Sequence, residues 1–164
     1  KTKEERELEE EARKANLKQA SFHRPANSGV YALVATIEAA RIGFNDITQK
    51  YVLDEAQRQA RLQALLEALL YTLMEPAGAM RGTQAPHIVD VAGVITVSQN
   101  VIPAPTLSPL KEGYDQELTD LCATLNSIRP NALAAHSFNS MNGYAQTVRD
   151  LIQSATPYTL QYAG

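Results

Sequence analysis

Residues 54–102 read DEAQRQARLQALLEALLYTLMEPAGAMRGTQAPHIVDVAGVITVSQNVI, and the order of elements in this stretch decides the fold. In its first part Leu62, Leu65, Leu66, Leu69, Leu70 and Leu73 recur at steps of three and four, the period at which side chains share one face of an α-helix. Asp54 stands in the N-cap position and Pro76 ends the run, so the spacing predicts a helix that turns its leucines into the core. Ala77 to Pro86 contains Gly78 and Gly82 and reads as a loop. Ile88 to Ile102 follows, where Val94, Ile95, Val97 and Val101 favour a strand. Pro103, Pro105 and Pro109 close it.

Upstream, Ser21 to Ser28 has the composition of a loop, with His23, Arg24, Pro25 and Asn27. Val30 to Ile42 fits both a strand and a helical stripe, and its β-branched content between Gly29 and Gly43 favours a strand. Thr2 to Gln19 reads as a solvated helix: Thr2 and Glu5 have capping-box spacing, Glu9 with Arg13 and Glu10 with Lys14 are i,i+4 pairs, and the apolar face is thin. Downstream, a helix is predicted from about Asp115 to Ile128, stopped by Pro130, and a weaker one over Tyr144 to Gln153. Strand, helix, loop, strand, helix is an α+β order, for which a ferredoxin-like sheet is the expected architecture. Residues 1–20 are read as a solvated helix or the end of an insertion, and 21–164 as the domain proper.

The chain has 164 residues with a single Cys, Cys122, which excludes an internal disulfide framework. Cys122 falls on the apolar face of the 115–128 helix with Leu118, Leu121 and Leu125, and is expected to be a small buried residue. No apolar run approaches the about 18 residues that a membrane-spanning helix needs. With no charged and apolar leader, the expectation is a cytoplasmic protein without membrane contact. Net charge is −3. Residues 1–18 hold six basic and six acidic side chains, leaving nine basic and twelve acidic for the rest. A uniformly basic nucleic-acid surface is thereby excluded, although a local basic strip is not.

The chemistry-bearing residues are sparse. His23, His87 and His136 lie far apart and form no zinc pattern, and Gly78 and Gly82 are not followed by the Lys of a phosphate-binding Walker loop. No metal or cofactor is expected. Asp46, Asp54 and Asp90 could serve as cation ligands and His136 with Tyr144 as an acid–base pair, but a turn, a cap or a satisfied polar role is the plainer reading of each. The loop Gly78-Ala79-Met80-Arg81-Gly82-Thr83 stands out. Two glycines let the backbone approach a ligand, and Arg81 with the Thr83 hydroxyl offers donors for phosphate oxygens.

Around this loop the sequence resembles the CRISPR-associated backbone subunit of type I Cascade surveillance complexes, in its DevR-type autoregulator branch. Residues 21–34, with Ser28-Gly29-Val30-Tyr31, resemble the family's Ser-Gly-x-Tyr strand entry, and Arg41-Ile42-Gly43 its exit. Leu65 to Pro109 resembles the family's Leu-rich helix, Gly-Ala-x-Arg loop at Gly78 to Arg81, Pro86, valine-rich strand and Pro-rich end. The resemblance implies a modified RNA-recognition-motif (ferredoxin-like) core with helical insertions, of which this chain looks like the C-terminal half. It further implies a non-catalytic scaffold that binds CRISPR RNA, copies of itself and other Cascade subunits, and target DNA indirectly, in antiviral defence. Carried onto this chain, the RNA-facing residues are Gly78, Arg81, Gly82 and Thr83, with His23 and Arg24. The competing expectations are an endoribonuclease using Asp46, Asp54 or His136, and a plain α+β protein-interaction domain. No RNP1 aromatic pattern is present, so the standard base-stacking sheet is not expected.

Overall fold

The computed structural model describes residues 2–18, 29–75, 88–99 and 102–160, with side chains in the first segment through residue 11. The chain forms α1 (Lys3–Lys18), a 3-10 turn (Ala39–Arg41), β1 (Phe44–Asn45), β2 (Lys50–Tyr51), α2 (Glu55–Met74), β3 (Gly93–Ser98), α3 (Tyr114–Ile128), β4 (Leu133–Phe138) and α4 (Met141–Ser154). The class is α+β, consistent with a ferredoxin-like core carrying helical elements.

The core forms where β3, α3, β4 and α4 meet. β3 and β4 are antiparallel, with Gly93 opposite Phe138 and Ser98 opposite Leu133. Alternation along β4 divides its contacts: Leu133 and Ala135 join Cys122 and Leu125 of α3, while Phe138, on the other parity, packs against Tyr144 of α4 at a 5.2 Å ring separation. Leu118, Cys122, Ala132, Leu133, Tyr144 and Val148 are buried. The turn into β4 is clamped by Asn126. Its Oδ1 accepts from Ala132 N and Leu133 N at 3.0 and 2.9 Å, and its amide donates to Leu133 O at 2.8 Å. Asn131, with φ of 59°, makes the left-handed reversal that Asn tolerates better than most residues.

Three expectations change. The predicted strand over Val30 to Ile42 is not a strand: it carries no regular secondary structure before the 3-10 turn, and Val30, Tyr31 and Leu33 are 91, 74 and 66% exposed. β-propensity reflects packing on a sheet, and among the described residues no ladder partner reaches this segment. The Leu-rich helix forms as expected, but of its leucines only Leu62 is fully buried and Leu65 is exposed; α2 packs chiefly on α4, which covers one narrow side. The sheet also contains β4, which the sequence does not announce. The remaining helices agree closely with expectation. α1 is solvated through residue 11, and Glu5 accepts from Thr2 N at 2.9 Å as its spacing suggests.

Candidate functional site

The segment that sequence reasoning singles out follows α2 in the chain, so α2 is the described element nearest to it in sequence. Asp54 caps the helix: its side chain accepts from Gln57 N at 2.8 Å, and the Gln57 side chain accepts from Asp54 N at 3.3 Å, a reciprocal capping box. One turn on, Arg58 is 3% exposed and ties three parts of the chain together. It donates through Nε to Ile42 O at 3.1 Å, and through its two terminal nitrogens to Thr159 Oγ1 at 2.9 Å and Tyr158 O at 2.8 Å. Its guanidinium sits 3.9 Å from the centre of the Tyr51 ring. The Tyr51 hydroxyl donates to Ala40 O at 2.7 Å and accepts from Leu160 N at 3.0 Å.

A buried charge satisfied by two carbonyls, a hydroxyl and an aromatic face, with no carboxylate among the described residues, depends on every one of those partners. Further along α2, Gln59 donates to Ala155 O and Gln63 to Ile152 O. As α2 advances from 58 to 63 its partners retreat from 159 to 152, so the last turn of α4 and the chain after it run antiparallel to α2 and hold it like a strap.

The Arg41-Ile42-Gly43 run feeds the same hub. Arg41 pairs with Glu38 at 3.5 Å and with Asp46, Ile42 supplies the carbonyl to Arg58, and Gly43 turns left-handed at φ 73°. A Cβ at Gly43 would stand 2.7 Å from Leu53 Cδ1, so both the backbone angle and the close approach require glycine. Gly43 O accepts from Val52 N at 2.9 Å, closing the β1–β2 hairpin.

At its other end α2 stops at Glu75, whose N–H donates to Tyr71 O at 2.8 Å. Tyr71, Thr72, Met74 and Glu75 line an open concavity of about 560 Å³. Helix C-termini carry partial negative charge, so an anion held just beyond this end must be gripped by cationic side chains and loop amides rather than by the helix.

Gly78, Arg81, Gly82 and Thr83, together with His23, Arg24 and His87, lie outside the described residues. The candidate acids and bases are among the described residues, and the three aspartates make structural contacts. Asp46 pairs with Arg41, Asp54 caps α2, and Asp90 accepts from Val91 N at 2.8 Å. His136 is exposed on β4, in register with Ile95, whereas Tyr144 is buried against Phe138. Among the described residues no group of three or more His, Cys, Asp or Glu could hold a metal ion, and no helix is long and apolar enough to cross a membrane. Burial pushes the Cys122 thiol and the Tyr144 phenol above their ordinary pKa ranges. Cys122 is therefore the buried apolar residue its helical position predicts.

Sequence reasoning missed Arg58. Its only signal is a charge one helical turn before Leu62, on the stripe the leucines define. No curated protein and no solved structure matches the chain. A family model does, described as the CRISPR-associated negative auto-regulator DevR/Csa2, and it covers residues 2–118. That span takes in α1, the hairpin, α2, the glycine loop, β3 and the start of α3. The chain belongs to the DevR/Csa2 family of CRISPR-associated proteins.

Proposed function

We propose that the chain is a non-catalytic scaffold unit of a type I CRISPR surveillance complex, holding CRISPR RNA by its backbone beside copies of itself and other Cascade subunits, with target DNA engaged indirectly through that RNA. The observation that carries this reading is the family match, whose span of residues 2–118 includes Gly78–Thr83. The chemistry of that loop fits the role. Arg81 supplies a charged fork, Thr83 a hydroxyl and the two glycines close backbone approach, all suited to phosphate oxygens. A net charge of −3 makes each unit a weak binder, which an array overcomes by effective concentration along one strand.

The test is a salt titration of the full chain with labelled RNAs of unrelated sequence. Arg81→Ala should weaken all of them about equally, and should flatten the slope of log K against log salt by about 0.7, one single-strand phosphate contact. Unchanged affinity and slope would remove Arg81 from the site. Magnesium-dependent cleavage of the RNA, lost in Asp46→Asn or His136→Ala, would overturn the non-catalytic assignment.

A further inference from the structure

Residues 29–37 read GVYALVATI, with no charge before Glu38. They carry no regular secondary structure, yet their apolar side chains face solvent: besides Val30, Tyr31 and Leu33, Val34 and Ile37 are 52 and 42% exposed. Apolar residues on both parities of a β-branched run suit a strand covered on both faces. A continuous exposed run of this kind marks a contact surface.

The complement lies in the same molecule. Gln99 N donates to Ala132 O at 2.9 Å, so these two facing residues are a hydrogen-bonded pair. By the alternation of an antiparallel ladder, 97–134, 95–136 and 93–138 are the others. The backbone groups of Leu133, Ala135 and Ser137 therefore point away from β3. Asn126 satisfies those of Leu133, and among the described residues those of Ala135 and Ser137 have no partner. β4 is thus an edge strand without the Lys, Pro or bulge that blunts such edges, and His136 and Ser137 on it are exposed. Beside β3, by contrast, the returning chain is tied down, with Thr96 Oγ1 donating to Pro105 O at 2.8 Å.

Within one molecule the segment and the edge do not pair. The chain that follows the segment is tied into the Arg58 hub, where Ala40 O accepts from the Tyr51 hydroxyl and Ile42 O from Arg58. We propose that residues 30–37 of one copy add as a third strand along the β4 edge of a second copy. This deepens the scaffold reading above, on which the choice of a neighbouring copy as partner rests. Each of the five apolar side chains buries on the order of 100 Å², and with the edge that receives them the contact covers roughly 1,000 Å², enough for specific association. The giving and receiving surfaces differ, so a copy that donates its segment still offers its edge, and the contact recurs from copy to copy.

The test uses the full chain, treated with nuclease and held at high salt to strip RNA, with its mass followed by sedimentation against concentration. Leu33→Asp sets a charge in the donated strand, and Ser137→Pro removes an outward N–H that the ladder with β3 does not use. The parent's mass should rise with concentration, and each variant should associate at least about tenfold more weakly. Mixed together, the two variants should form a 1:1 dimer and nothing larger, because one retains the edge and the other the segment. In the parent, hydrogen exchange should slow at residues 30–37 and at Ala135 and Ser137 as concentration rises, a readout that holds even if Ser137→Pro fails to fold.

A parent that stays monomeric with fast exchange at 30–37 would overturn the contact, and so would a variant mixture that stays monomeric. Protection of 30–37 in a monomer would assign the segment to its own chain and overturn it too. Association of the expected pattern by a chain that binds no RNA at low salt would overturn the scaffold reading and leave the contact standing. Arg81-dependent RNA binding by a chain whose copies never associate would do the reverse.

Discussion

Arg58→Ala tests whether the buried guanidinium organises this half of the molecule. The substitution removes donors from Ile42 O, Tyr158 O and Thr159 Oγ1, and removes the cation above the Tyr51 ring. Each polar group left buried and unsatisfied costs about 1–3 kcal/mol, and a desolvated cation–π contact is worth about 2 kcal/mol. The contributions share one side chain and are not additive, and water can enter beside the chain end, so the lower values apply: a loss of about 3–5 kcal/mol. Against a total stability of about 5–15 kcal/mol for a domain, that is about a fifth or more.

In urea denaturation followed by circular dichroism, with an m-value of about 2 kcal/mol/M, the midpoint falls by roughly 1.5–2.5 M. Arg58→Lys keeps the charge, but one ammonium cannot span three acceptors, so it should recover less than half of the loss. Hydrogen exchange localises the effect. Amides of Val52 and Leu160, whose acceptors are Gly43 O and the Tyr51 hydroxyl, should exchange faster, while those of β4 change least. An Arg58→Ala stability within about 0.5 kcal/mol of the parent, the range of an ordinary surface substitution, would refute the hub.

Asn126→Ala deletes the three hydrogen bonds that clamp the turn into β4 and should cost about 2–4 kcal/mol by thermal or urea unfolding; Asn126→Asp, which keeps the acceptor but sets a carboxylate against Leu133 O, should also destabilise. Gly93→Ala places a Cβ 2.5 Å from Phe138 Cζ, so the ring must leave its place over the strand, at about 1–3 kcal/mol, with Tyr144 losing its aromatic neighbour. Burial raises the Cys122 pKa, so the unfolded chain loses this proton before the native one does. The resulting stability is full below the unfolded thiol pKa of about 8.5 and is lost as pH rises through the higher native value. Unfolding midpoints measured upward from pH 8 should therefore decline more steeply in the parent than in Cys122→Ala, and Ellman's reagent should label the native thiol slowly at pH 8.

What was legible in the sequence was whatever is decided locally. Asp54 and Pro76 bound α2 because a cap and a missing N–H act within one turn. Pro130 and the 118–122–125 spacing bound α3 to within a residue. β4 was not legible, since Leu-Ala-Ala-His-Ser-Phe has little β-propensity of its own and becomes a strand through pairing with β3 and the Asn126 clamp. The opposite error occurred at Val30 to Ile42, whose composition favours a strand while no partner lies alongside among the described residues. The hairpin at Phe44–Tyr51 escaped notice because its strands are two residues each, although the Asn45 side chain accepting from Ile47 N and Thr48 N is a familiar Asx turn. Arg58 was invisible because its partners lie sixteen residues before it and a hundred after it.

The two parts of the family likeness speak to different things. Arg41-Ile42-Gly43 has a complete structural explanation: an ion pair, a carbonyl for Arg58 and a left-handed glycine. A protein with no RNA to bind would need these residues to hold this hairpin against α2, so their likeness is evidence of fold. The Gly78–Thr83 segment lies outside the described residues and follows a helix end that is itself unsuited to anions, so under the proposed function any anion binding there would rest on the segment's own Arg and amides. The hub and the loop are joined by α2. From Arg58 to Glu75 the helix rises about 25 Å at 1.5 Å per residue, so a tilt of about 10° at the hub would carry Tyr71 and the loop base sideways by about 4 Å. If the proposed function holds, loosening Arg58 should therefore lower RNA affinity without altering the salt slope, since the proposed phosphate contacts would remain available but would no longer be held in one place. Arg81→Ala should do the reverse, flattening the slope while leaving the urea midpoint where it was.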